Sequence, residues 1–193
     1  LDQEGRVPQA FRRYGSISAD FRGLRDTAEA DARLAELRRD AAVQRQLRDE
    51  KRRDERDRGA LAALAQKLRQ AASAPEIPPV ARVAAELQIP SFKNRAAHGE
   101  PEEERLSAQR LLASLRVQTS FYLPQRLLDA GDTARAVLML SVAAEIDPDA
   151  PSIYYDRAAA HARAGETGPS LADLQRAVER GFRDFAALEA DPD

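Results

Sequence analysis

Two glycines in matching surroundings, Gly131 and Gly165, restrict what this chain can fold into more than any other feature. Their neighbours correspond at one constant offset: Asp132 with Glu166, Ala136 with Ser170, Leu140 with Leu174, and Ala143 with Ala177. Each glycine follows an amphipathic stretch and can take the left-handed conformation that closes a helix. Ala136 and Ala143 lie on one helical face, where small side chains let two helices approach closely, and Leu140 fills the gap on that face. Ala160, Ala162 and Ala164 thin the stretch before Gly165 in the same way. A recurrence of this length marks a supersecondary unit that cannot bury its apolar face alone and must share it with a neighbour.

The remaining composition agrees with an all-α chain. Ala, Leu, Arg and Glu dominate, and their side chains lose little freedom in a helix. No Asn-Gly or Asp-Gly pair, and no alternating run of Val, Ile or Thr, signals a hairpin of strands. Proline then divides the chain. Residues 9–74 hold none, whereas 75–101 hold Pro75, Pro78, Pro79, Pro90 and Pro101, each a helix start or boundary because φ is fixed and the N–H is missing. The expected organisation is a helical region over 1–74, a proline-rich connector over 75–101, and a second helical array over 102–193. Within the connector, Val80, Val83, Ala84 and Leu87 have the spacing of a short packed helix.

Two helices with identifiable caps are expected in the first region, after a helix that follows Gly5. Thr27 is placed to cap one reaching about Arg38, and Asp40 to cap a long one ending near Ala72. At about 1.5 Å per residue the long helix spans roughly 48 Å. From Arg48 to Arg58 it has six basic and five acidic residues and no apolar one, which reads as a solvated stretch between two packed ends. Asp49–Arg53 and Asp54–Arg58 have the acid-first spacing that supports a helix. An RNA-binding arm is the competing reading of this stretch. The acids cancel the bases there, and 30 Lys+Arg against 32 Asp+Glu leave the whole chain at −2, without the basic excess of a nucleic-acid module. No run approaches the roughly 18 apolar residues of a membrane span, so no membrane partner is expected.

Chemistry is hard to find. There is no Cys, and the two histidines, His98 and His161, lack a second ligand at metal-binding spacing. No G-x-S-x-G elbow and no glycine-rich phosphate loop is present. Glu102, Glu103 and Glu104 follow Pro101 at a helix start, where negative charge complements the macrodipole. The expectation is a piece without catalytic residues, cofactor or metal.

The glycine-centred recurrence resembles the tetratricopeptide (TPR) repeat, with units at 117–150 and 151–184. Gly5, Ala10 and Tyr14 repeat the spacing of Gly131, Ala136 and Leu140, as if a unit began upstream, and Gly181–Phe182 through Leu188 and Asp191–Pro192 open a further helix. The expected fold is therefore antiparallel helical hairpins in a TPR-like array, cut from a longer polypeptide. The position of that family's large aromatic is Ser120 in the first unit and Tyr154 in the second, so the sequence departs from the family at Ser120, and again where Pro124 interrupts the first helix. Pro124 should kink it, in one long bent helix over 102–130.

The resemblance implies a concave face lined by Gln118, Phe121, Gln125, Leu128, Ser152, Tyr155, Ala159 and Ala162. That face would take a protein or peptide: another domain of the same chain, a separate partner, or a second copy in a homo-oligomer. The alternative places Phe121 and Tyr155 in the core. A second resemblance rests on the run Gly5–Arg25, on Ser120–Pro124 and on Ala177–Phe182, which look like the helical tail of bacterial esterase-like α/β-hydrolases. It implies an accessory domain shaping a substrate cleft or oligomer contact, in a protein exported to the periplasm, with the cytoplasm as the alternative. The reading is thus a non-catalytic scaffold or interaction domain, or else such an accessory domain.

Overall fold

The computed structural model describes residues 7–183, and these are all-helical apart from turns and one isolated bridge between Arg22 and Arg25. The chain divides into two compact units, Leu1–Arg58 and Gly59–Asp193.

In the first unit, α1 (Val7–Asp20) packs on α2 (Ala28–Arg39). The buried apolar residues are few and mostly modest in size: Ala10, Ala30, Leu34, Leu37 and Val43. Ala10 is fully buried, whereas Gly5 lies outside the described residues. Helix α3 (Ala41–Ala72) begins where Asp40 predicts, because its Oδ1 accepts from the Ala42 N–H at 2.8 Å and the Val43 N–H at 3.2 Å. The cap of α2 needs correction. Thr27 occupies the cap position, but Asp26 Oδ1 accepts the Ala28 N–H at 2.9 Å, while the Thr27 hydroxyl donates to Asp31 Oδ2. The fully solvated reading of 48–58 also needs correction, since Asp57 is buried and Glu50 pairs with Arg12 at 2.7 Å.

The second unit contains the larger core. It takes Leu64, Leu68 and Ala71 from the end of α3, Val83, Ala84 and Leu87 from α4 (Val80–Glu86), and Ile89 and Phe92 from α5 (Ile89–His98). Helix α6 (Glu102–Val117) adds Ala108, Leu111 and Leu115, and α8 (Thr133–Ile146) adds Leu138, Met139, Val142 and Ile146. Helix α5 packs on α6, and α8 packs on α7 (Leu123–Asp129) and on α9 (Pro151–Arg163), which in turn packs on α10 (Thr167–Glu179). The connector therefore carries a second helix beyond the expected one. Pro90 sits in the first turn of α5, where a missing N–H costs nothing, and the junction before it is made by Gln88 at φ 57°.

Between α6 and α7 the backbone stays helical but widens to a π-helical turn over Gln118–Tyr122. Pro124 has no N–H for the carbonyl four residues back, so the ladder is already broken beside it. Inside the turn Thr119 is fully buried, and its hydroxyl donates to the Leu115 carbonyl at 2.8 Å.

The two glycines do what the sequence requires. Gly131 and Gly165 have φ of 76° and 74°. Gly131 N–H donates to Leu128 O at 2.9 Å and Asp132 N–H to Leu127 O at 2.8 Å. At the matching positions 34 residues later, Gly165 donates to Ala162 O at 2.8 Å and Glu166 to His161 O at 2.9 Å. These paired bonds satisfy carbonyls that a helix end leaves open. Gly181 closes α10 in the same manner, at φ 99°, with Phe182 N–H donating to Ala177 O at 2.9 Å. The helix expected from there through Leu188 lies outside the described residues.

A Cβ at Gly165 would meet no atom within 4 Å, so the effect of Gly165→Ala is torsional only. Urea unfolding should show it destabilised by about 1–2 kcal/mol. Gly59→Ala, in the middle of α3 and equally free of neighbours, should stabilise by about 0.5–1 kcal/mol.

Candidate functional site

The recurrence around Gly131 and Gly165 shows where the second unit's interior changes chemistry. Leu123 and Leu127 pack against the cluster that holds the fully buried Met139. At the matching positions 34 residues further on stand Arg157, His161 and Asp173. Asp173 on α10 is as buried as a core residue, at 2% exposure. A carboxylate there must be paired, because transfer of an isolated charge from water costs many kcal/mol.

Arg157 on α9 supplies the pairing. Its Nε and one terminal nitrogen donate to the two Asp173 oxygens, each at 2.6 Å, in the forked geometry that suits guanidinium and carboxylate. Its other terminal nitrogen donates to Ser141 Oγ at 3.2 Å, and Arg176 adds a bond to Asp173 Oδ1 at 3.0 Å. His161 Nε2 lies 3.7 Å from Asp173, and its Nδ1 meets Glu166 at 2.6 Å. Burial pushes the Asp173 carboxyl up, but the hydrogen bonds and charges of Arg157 and Arg176 outweigh it and hold the group below its ordinary value. Glu166 occupies the same cap position as Asp132, but its side chain turns to His161 instead of to the backbone. Asp132 accepts from the Arg135 N–H at 3.1 Å as a side-chain helix cap, whereas the Glu166 side chain makes no such bond at the start of α10.

The cluster borders an open groove of about 550 Å³. Lys93, Arg157, Arg176 and Arg180 line it, with Glu145 as the acidic lining residue. Tyr154 forms part of its wall. The Arg157 and Arg180 guanidinium carbons lie 5.3 and 4.4 Å from the Tyr154 ring centroid. The Tyr154 hydroxyl donates to the Pro148 carbonyl at 2.9 Å, and Arg180 Nε donates to that same carbonyl at 2.6 Å. Lys93 Nζ donates to the Glu145 carbonyl at 3.0 Å.

The groove residues expected from the TPR resemblance lie on the π-helical turn, α7 and α9. Gln125 and Ser152 are exposed, and Gln118, Leu128, Ala159 and Ala162 are half-buried. Phe121 is 57% exposed, which corrects the core alternative for it. Its ring packs edge-on to the exposed Tyr122, with centroids 5.1 Å apart. Tyr155 is half-buried and stacks on Phe182 at 4.5 Å and 11°.

Sequence reasoning missed Arg157, Asp173, Lys93, Arg176 and Arg180. The signal for Asp173 was its alignment with Met139. Among the described residues no group of three or more His, Asp or Glu side chains could hold a metal ion, and no helix is long and apolar enough to cross a membrane. No family model matches this chain, and neither the curated proteins nor the solved structures contain a match to it.

Removing one member of the buried pair leaves the other uncompensated. Asp173→Ala should lose about 3–5 kcal/mol, whereas the double replacement Arg157→Leu with Asp173→Met, which copies Leu123 and Met139, should be neutral or stabilising in urea unfolding. The depressed Asp173 group contributes stability fully present above its unfolded value of about 3.9 and lost as pH falls through the lower folded value. Native protein should therefore lose more stability than the double variant when titrated from about pH 5 to below pH 4; parallel losses would contradict the pairing account.

Proposed function

We propose that this chain is a non-catalytic, TPR-like helical scaffold: antiparallel hairpins stacked on one interior, acting as a protein-interaction domain. The observation that carries this reading is the recurrence of the same helix-closing bonds, around the same left-handed glycine, at Gly131 and again at Gly165. Alanines at matched positions support it, since Ala136 and Ala143 in one stretch and Ala177 in the next are fully buried where neighbouring helices meet. An interaction role is supported by Phe121 and Tyr122, two large rings left in solvent on the segment that bears Gln118 and Gln125. Aromatic side chains offer a large contact area with few rotors to immobilise. The partner is a protein or peptide, which includes another domain of the same polypeptide.

Because both rings are exposed, Phe121→Ala with Tyr122→Ala should leave the thermal midpoint within about 2 °C of native, a surface-sized effect. Affinity capture from the source cell should recover a defined partner with native protein and lose it with the double variant. Equal recovery by both proteins, or none by either, would overturn the reading.

A further inference from the structure

We propose that the groove lined by Lys93, Tyr154, Arg157, Arg176 and Arg180 is a binding site for a phosphoryl group. Its charge is unbalanced. Four cations line it, and among the described residues that line it or pair beneath it the opposing acids are Glu145 on its wall and Asp173 below, which leaves a surplus of two positive charges. A carboxylate would cancel one of these, whereas a phosphoryl group carries about −1.5 to −2 at pH 7 and three acceptor oxygens. In a chain otherwise balanced to −2 overall, this concentration of one sign is local.

The donors are also held in place before any ligand arrives. Arg180 is fixed by one hydrogen bond through Nε and by its position on the Tyr154 ring, and among the described residues its terminal nitrogens are not committed to a hydrogen bond. Lys93 uses one bond to the Glu145 carbonyl and keeps further donors. Arg176 reaches Asp173 through one terminal nitrogen, and its side chain is 53% exposed. Arg157, committed to Asp173 and Ser141, adds its charge to the floor and also lies against the Tyr154 ring. Ordering long side chains is a main cost of binding an anion at a surface, and much of it is already met here. This proposal does not rest on the interaction-domain reading.

The test is titration of the full chain with sodium phosphate at fixed ionic strength, followed by calorimetry and ³¹P line width, with sodium acetate as the competitor. Expected are one saturable phosphate site per chain and no competition by equimolar acetate. Affinity should weaken as pH falls through the range in which the phosphate dianion regains its second proton. Arg180→Gln and Lys93→Gln should each weaken binding about tenfold or more, as for loss of a charge-assisted hydrogen bond, with native circular dichroism. Phosphoserine and serine forms of one peptide separate the sources. Tighter binding of the phosphoserine form than of free phosphate assigns the group to a phosphorylated protein, and equal or weaker binding assigns it to small phosphate compounds; either outcome supports the site. Absence of saturable phosphate binding, equal competition by acetate, or native affinity in both variants would overturn it.

Discussion

A helix of only a few turns does not hold itself in water, because the first hydrogen-bonded turn fixes several dihedrals for a single bond. Among the described residues, every α-helix wholly within the second unit is of that length, from α4 with 7 residues to α6 with 16. What keeps them helical is the interior they share, and fully buried Leu87, Ile89, Met139, Leu140 and Ile153 contribute about 1.5–3 kcal/mol each to it. The closing turns at Gly131 and Gly165 matter for the same reason. They end each helix without leaving carbonyls open, so the chain can return to the same interior.

That dependence makes the exchange at Arg157 and Asp173 informative. Where the preceding segment places Leu123 and Met139, this one buries an ion pair, and such a pair is not a better source of stability than two packed apolar side chains. Its consequence is positional. Asp173 holds the Arg157 fork, Arg157 lies over one side of Tyr154, and Tyr154 shares with Arg180 the carbonyl of Pro148. An apolar pair in the same place would leave Tyr154 and Arg180 without that support. The buried carboxylate thus orders side chains that reach solvent, an effect of specificity distinct from any gain in folding free energy.

Much of the backbone was legible in the sequence wherever a single residue decides the local geometry. Asp40 begins α3 because its carboxylate can reach two free N–H groups, and Gly131 and Gly165 end helices because a left-handed residue is needed there. Helix α5 was not legible. Its start is made by Gln88, a residue that adopts positive φ only at a cost, so no glycine marks the turn, and Pro90 reads as a breaker when it is a first-turn residue. The cap at α2 misled for a smaller reason: Asp26 and Thr27 both carry acceptors, and only geometry decides which one faces the backbone. The groove was less legible still. Lys93 comes from α5, Arg157 from α9 and Arg176 from α10, so its members gather only when separate helices pack.

The π-helical turn before α7 shows how one local defect can expose a surface. Pro124 cannot donate within the ladder, and the preceding residues respond with a wider turn whose buried hydroxyl, on Thr119, takes up a carbonyl of the turn before it. A wider turn changes the angular spacing of side chains along the helix, so residues no longer fall on the face that a regular helical period assigns them. Thr119 goes wholly inward and Phe121 and Tyr122 go outward, although their hydrophobicity alone would place them the other way round. Periodicity applied across residues 118–122 therefore errs for a physical reason, and it errs at the two largest rings of the turn, Phe121 and Tyr122.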